Sequence, residues 1–340
     1  MTNALTVAVV QSAGVPFEPD ASLETARRLA EQAAHDGSKL TLFPEAFLGG
    51  YPRGMTFGAT VGRRSAEGRE WYRRYHGAAV ELDGPQVAEL QRISSDTDMT
   101  LLMGVIERSG GTLYCTALVI DPGDGLIGWR RKLLPTAAER VVWGQGDLSL
   151  PPVVRTRHGQ VGVAICWENY MPLLRTYMYS QGVRIWCAPT ADDRDGWEAT
   201  MRHIALEGRC FVLSSNQFSK RSDYPPDYPL DVPSDEVLTT GGSMIVDPLG
   251  NVLAGPERSG EAVLTATLDF DEIARSQLDF DVVGHYSRGD LFTLKVSTAS
   301  SDLVEQDDVH ARQGRPKVAR SATAARSQTR SEQHPCTRGD

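Results

Sequence analysis

The opening of the chain narrows the fold more than any other stretch. Leu5 to Val10 is an apolar, β-branched run that reads as a strand. Pro19-Asp20 then starts a helix that runs to about Ala34, with Leu23, Ala26, Leu29 and Ala33 at helical spacing. Asp36-Gly37 ends that helix, and Leu40 to Phe43 is a second short strand. A strand, a helix and a strand in succession make a βαβ unit, which signals an α/β fold. Later segments add a different element. Ser109-Gly110-Gly111 turns the strand Thr100 to Ile106 back into Leu113 to Ile120, and Asp121-Pro122-Gly123-Asp124-Gly125 leads on into Leu126 to Arg131. Hairpins of this kind are foreign to a pure doubly wound sheet and point to a mixed sheet.

The remaining punctuation extends the pattern. Residues 55–80 read as an insertion with a short helix near Arg69 to Tyr75, and a helix runs from about Pro85 to Asp96. Pro151 to Thr156 and Val161 to Ile165 form a hairpin, and a helix from about Pro172 to Gln181 follows. Val183 to Ala188, a helix from about Trp197 to Glu207, and residues 210–216 come next. The Pro-rich segment Lys220 to Ser234 reads as a loop. Ser243 to Val246 and Ala262 to Leu268 close the sheet before a last helix over about Phe270 to Gln277. Residues 1–296 are therefore one domain. Residues 297–340 lack aromatics and cannot bury enough surface to fold alone, so they read as a disordered or oligomer-dependent tail.

Composition excludes several partners. The net charge is -9, which argues against nucleic acid. No apolar run approaches a membrane span, and the N-terminus lacks a basic signal region. The five cysteines are widely spaced and odd in number, which fits a reducing cytoplasm rather than a disulfide framework. No cysteines or histidines stand at zinc-ligand spacing.

Four residues carry the candidate chemistry. The run Val161 to Ile165 delivers Cys166 at a strand end, just before a helix at Pro172. A thiol on such a turn is presented for attack, with backbone N–H groups near a developing oxyanion. The competing reading is a small buried hydrophobe. Glu45 follows a strand and precedes the Gly-rich stretch Gly49-Gly50-Tyr51-Pro52. It is either a site carboxylate at a strand end or a helix N-terminal acid. Lys132 ends the strand Leu126 to Arg131, and is either a site cation or a surface lysine. Seven residues on, Glu139 stands beside Arg140 and by itself reads as an ordinary charge pair on a solvated turn. Gly123-Asp124-Gly125-Leu126-Ile127-Gly128 matches a dinucleotide fingerprint by letters, but an extended run follows it where the fingerprint needs a helix. Thiol catalysis often uses a Cys–His pair, but no histidine is nominated by spacing; a Glu–Lys–Cys set is the other economical arrangement, in which a carboxylate takes the thiol proton and an ammonium meets developing anions.

Three blocks make the chain resemble a nitrilase, from the nitrilase branch of the carbon–nitrogen hydrolase superfamily. They are Gly37 to Pro52 around Phe43-Pro44-Glu45-Ala46, Arg131-Lys132-Leu133-Leu134-Pro135-Thr136 with Glu139-Arg140, and Gly162 to Arg175 around Cys166-Trp167-Glu168-Asn169. The likeness covers about residues 5–295. Ala137 replaces a histidine common in bacterial nitrilases, and Gly289 a frequent proline. The resemblance implies an α-β-β-α sandwich with mixed sheets, doubled to four layers by homodimerisation and often extended into spirals or filaments. It implies Glu45 as general base, Cys166 as nucleophile, Lys132 as stabiliser of the tetrahedral intermediate and Glu139 as an additional acid that positions Lys132 or substrate. Trp167 would help hold developing negative charge through its backbone N–H, and Tyr51 would meet substrate. Tyr51, Trp143, Trp167 and Trp197 read equally as pocket or as core. His203 and Glu207 would hold their helix in place. The expected substrate is a small organic nitrile, with no cofactor or metal. An amidase or carbamoylase of the same superfamily, and a silent assembly protein, are the alternatives. Trp167-Glu168 and Gly50-Tyr51-Pro52 argue against the first, and the complete residue set against the second.

Overall fold

The first strand, β1 (Ala4–Gln11), shows how the molecule is layered. Val7 and Val9 point into one apolar cluster, and Ala8 and Val10 into another. A strand apolar on both faces must be covered on both. The computed structural model, which describes residues 3–298, shows what covers it. The chain continues through α1 (Pro19–His35), β2 (Leu40–Leu42), α2 (Ala66–Ala78), α3 (Pro85–Thr97), β3 (Thr100–Ser109), β4 (Thr112–Asp121) and β5 (Gly125–Arg131). It then runs through β6 (Val153–Thr156), β7 (Gly159–Val163), α4 (Pro172–Ser180), β8 (Ile185–Thr190), α5 (Asp195–Gly208) and β9 (Phe211–Asn216). A small ribbon of β10 (Phe218–Lys220) and β11 (Val237–Thr240) precedes β12 (Ser243–Val246), β13 (Val252–Glu257), β14 (Ala262–Asp269) and α6 (Asp271–Gln277).

Two six-stranded mixed sheets result, ordered β14-β1-β2-β3-β4-β5 and β13-β12-β9-β8-β7-β6. Their facing sides share one core. Val7, Val9, Leu40 and Leu42 of the first sheet meet Val161, Val163, Ile185, Leu213 and Ile245 of the second. The outer face of the first sheet is covered by α1 and α3 through Leu23, Ala26, Leu29, Val87, Leu90 and Ile93. The outer face of the second is covered by α4 and α5 through Leu174, Met178, Trp197, Met201 and Ile204. The order of layers is α-β-β-α. Each fully buried Leu or Ile contributes roughly 1.5–3 kcal/mol.

The parallel pairs β1·β2, β2·β3, β7·β8 and β8·β9 place successive strand C-termini at the same end of each sheet. Several sequence expectations change in detail. The insertion holds a full helix, α2, capped by Ser65, whose hydroxyl accepts from the Gly68 N–H. Ala262 to Leu268 does not close the sheet of Ser243 to Val246. It crosses to the other sheet as β14 and pairs antiparallel along all of β1. In its place β12 pairs with β13 on the side away from β9, and β13 is an edge strand that tolerates Pro256. The tail expected over 297–340 lies outside the described residues, its first two positions excepted. No helix among the described residues is long and apolar enough to cross a membrane.

Candidate active site

Three loops at strand ends carry the site. After β2, residues 43–48 run beside β3: the Phe43 N–H donates to Leu102 O, and Leu48 N–H to Gly104 O. This close approach requires glycine at 104. A Cβ there would stand 2.1 Å from Pro44 O and 2.8 Å from the Glu45 Cα. Directly after β5 comes Lys132, whose N–H donates to Cys115 O. A 3₁₀ turn over Ala137–Val141 then brings Glu139 back. After β7 the chain passes into a second 3₁₀ turn, Cys166–Tyr170. Ala46, Ala137 and Cys166 all have positive φ, between 47° and 53°. Strained non-glycine backbone in all three loops marks where the fold over-determines geometry.

The side chains converge. Lys132 Nζ donates to Glu45 Oε1 and to Glu139 Oε2, both at 2.7 Å. Lys132 and Glu45 side chains are fully buried, and Glu139 is 9% exposed. Tyr51 Oη donates to the other oxygen of Glu139 at 2.8 Å. Thr190 Oγ1 donates to Cys166 Sγ at 3.2 Å. Gln217 Nε2 holds the Glu45 carbonyl at 2.7 Å, and the Cys115 thiol donates to Glu45 Oε1 at 3.4 Å. The Glu45 Oε2 atom is buried without a hydrogen-bond partner. Tyr51, Glu139, Cys166 and Trp167 line one pocket of about 180 Å³ with Arg53, Thr136, Ala191, Asp192, Asp193 and Arg194. A larger depression of about 460 Å³, beside Asn3, Arg155, Arg184 and Phe270, contains none of these groups.

Electrostatics follow from burial. Desolvation pushes the Cys166 thiol well up, and the Glu45 charge adds to it, while Lys132 and the Thr190 hydroxyl oppose. Burial raises Glu45 against the pull of Lys132, with Glu139 adding. Burial alone would lower Lys132, but Glu45, the two thiols and Glu139 outweigh it and hold it cationic. Tyr51 is raised by burial and then by Glu139, so it stays a phenol. One ammonium therefore faces two carboxylates. A proton passing from Cys166 to Glu45 leaves the net charge of this buried set unchanged, which is the cheapest way to make a thiolate in a low-dielectric site.

Glu45, Lys132 and Glu139 are in direct contact, and Tyr51, Cys166 and Trp167 line one pocket with Glu139. Lys132 is not a surface lysine, and Glu139 is not a solvated partner of Arg140. Trp167 is half-exposed, and its Nε1 donates to Asp192, which also holds Arg194. Trp143 and Trp197 are buried in core clusters. His203 lies on the outer side of α5, while Glu207 ties Arg175 and Tyr179 of α4 to that helix. Nothing in the sequence pattern singles out Cys115, Thr190 or Gln217. Each is an ordinary-looking residue in or beside a strand, and only the strand pairing brings it to the site. Among the described residues no group of three His, Cys, Asp or Glu side chains is placed to hold a metal ion.

The fold brings a buried thiol, an ammonium and two carboxylates together at strand ends. Residues 6–277 match the model of the carbon-nitrogen hydrolase family, and the chain belongs to that family. It is 52% identical over 295 residues to a Lupinus angustifolius protein named bifunctional nitrilase/nitrile hydratase NIT4B, covering 85% of this chain and 84% of that one. It is 53% identical over 300 residues to an aliphatic nitrilase of Sinorhizobium fredii, covering 87% and 97%. Among solved structures, Saccharomyces cerevisiae Nit3, a member of branch 10 of the nitrilase superfamily, shares the fold with a TM-score of 0.66 at 21% identity, over 83% of this chain and 96% of that one.

Proposed function

We propose that this chain hydrolyses a small organic nitrile to the carboxylic acid and ammonia through a covalent intermediate on Cys166. The observation that carries the reading is the buried Lys132 bridging Glu45 and Glu139 in the site that also holds the Cys166 thiol. Half-identity to curated nitrilases over most of the chain supports the nitrile as substrate.

Glu45 accepts the thiol proton, and the thiolate adds to the nitrile carbon. The nitrile nitrogen takes that proton from Glu45, giving a neutral thioimidate. Water then adds, its proton passing to a carboxylate, and a tetrahedral intermediate forms. Lys132 and the backbone N–H of Trp167 meet the negative charge that develops. The nitrogen receives both protons of that water, the first through the carboxylate, and leaves as ammonia; a second water opens the resulting thioester, releasing the acid and returning a proton to the thiolate. If the tetrahedral intermediate expels the thiol instead, the product is the amide. Glu139 anchors Lys132, and Tyr51 fixes Glu139 from the pocket side. The chemistry calls for no metal or organic cofactor. The same reading takes the protein as a homodimer packed through outer helices, with higher assembly open to measurement by size exclusion.

The test is a panel of aliphatic, arylaliphatic and dinitriles, scored for ammonia with acid and amide resolved. The wild type releases ammonia from at least one. Cys166→Ala abolishes it with the far-UV spectrum unchanged. Turnover of amides alone would replace this reading with an amidase.

A further inference from the structure

The carboxylate of Glu168 takes part in none of the steps above, yet it is 1% exposed and fully engaged. Its Oε1 accepts from Arg130 Nη2 at 2.8 Å and from the Leu133 N–H at 2.6 Å. Its Oε2 accepts from the Ile165 N–H at 2.6 Å. Leu133 follows Lys132, and Ile165 precedes Cys166. Arg130 lies on β5, in the first sheet, and its other terminal nitrogen donates to Val163 O at the end of β7, in the second. By contrast, Asn169 binds the same turn only within its own sheet, through Ala164 O, Cys166 O and the Trp186 Nε1–H. A local helix cap would need only the Ile165 contact. The other two contacts reach across the sandwich.

We propose that Glu168 is a positioning residue: its carboxylate, paired with Arg130, fixes the turn bearing Cys166 against the strand end bearing Lys132. The proposal rests on the reading of Cys166 and Lys132 as reacting partners. Neither oxygen is spare, so an amide cannot substitute. A glutamine NH₂ cannot accept, and one of the three donors is left facing it. The Lys132 ammonium and the Cys166 thiol are then free to drift apart, and displacement of this kind is costly to rate.

The experiment uses the full chain with Glu168→Gln and with Arg130→Met/Glu168→Gln. The double variant removes the guanidinium that the single one would leave buried and unpaired, so it carries the test if the single variant fails to fold. Two readouts are taken per folded molecule: kcat and KM on the best nitrile of the panel, and the pH dependence of Cys166 alkylation by iodoacetamide, with Cys166→Ala as the blank. The expected result is a kcat about 30-fold or more below wild type with KM within about threefold. The alkylation profile moves to higher pH, because Lys132 no longer favours the thiolate. The double variant recovers the unfolding midpoint without recovering either readout. A kcat within about threefold of wild type and an unmoved alkylation profile, in either folded variant, would overturn the proposal. Alkylation reads the clamp even where no nitrile in the panel is turned over, so failure of the clamp and failure of the nitrile reading are distinguishable.

Discussion

At the residue scale the site is a problem in shared charge. Lys132 is the one ammonium between Glu45 and Glu139, and its burial is tolerated because both carboxylates contact it. Lys132→Met removes the group proposed to meet the tetrahedral intermediate and leaves two carboxylates without a counter-charge. We expect kcat to fall about 10²- to 10³-fold, the range for losing one such donor. A change confined to KM in steady-state kinetics would contradict this role. The charge set also fixes a pH sign. Burial, opposed by Lys132 and reinforced by Glu139, holds Glu45 above its ordinary value. The base must be unprotonated, so activity is present above that raised value and lost as pH falls through it. The acid limb of kcat/KM is expected above the ordinary glutamate value of about 4.3, falling about tenfold per pH unit below its midpoint. An acid limb at or under the ordinary value, in a pH profile on a non-ionising nitrile, would remove Glu45 as the base.

At the element scale β3 decides where Glu45 stands. Gly104 is the gap that lets residues 44–46 lie against the strand. Its own pairing is ordinary: it sits opposite Ala117 of β4. Gly104→Ala is therefore expected to keep the sheet and displace the Glu45 loop, lowering kcat/KM about 100-fold with a native-like far-UV spectrum. Activity within a few-fold of wild type would show that the loop has another way to seat. This dependence also marks the limit of what the sequence discloses. Glu45, Lys132 and Cys166 each stand within three residues of the end of an apolar strand, so pattern alone nominates them. Glu139 declares itself only through the resemblance of its block. Cys115 and Gly104 sit mid-strand, and Thr190 ends one. Their roles arise from pairings between distant segments, which periodicity does not encode. β13 is not legible in the sequence for a local reason: Gly255-Pro256 breaks its pattern, and an edge strand permits that. The two-sheet architecture came from resemblance, because a strand apolar on both faces looks the same in a doubly wound sheet and in a sandwich.

At the scale of the whole molecule, the inner faces of both sheets are one core. Val9 and Leu42 from one sheet and Val163, Leu213 and Ile245 from the other belong to the same buried cluster. Ser215 Oγ on β9 donates to Val10 O on β1, a direct tie between sheets. The site depends on that joint, since Glu45 and Lys132 follow strands of the first sheet and Cys166 a strand of the second. Neither half holds a complete set. The sheets should accordingly lose structure together. Leu213 is fully buried in the shared layer, so Leu213→Ala removes buried area and leaves a cavity, at a cost of about 2–5 kcal/mol. The expectation is a single unfolding transition shifted to lower denaturant, coincident by far-UV dichroism, tryptophan fluorescence and loss of Cys166 alkylation specificity. Trp129 reports the first sheet and Trp186 the second, so variants keeping only one of these two among the chain's tryptophans separate the signals. If the Trp129 signal persists after the Trp186 signal has gone, the sheets unfold as separate bodies, and the shared core is not what holds the candidate residues together.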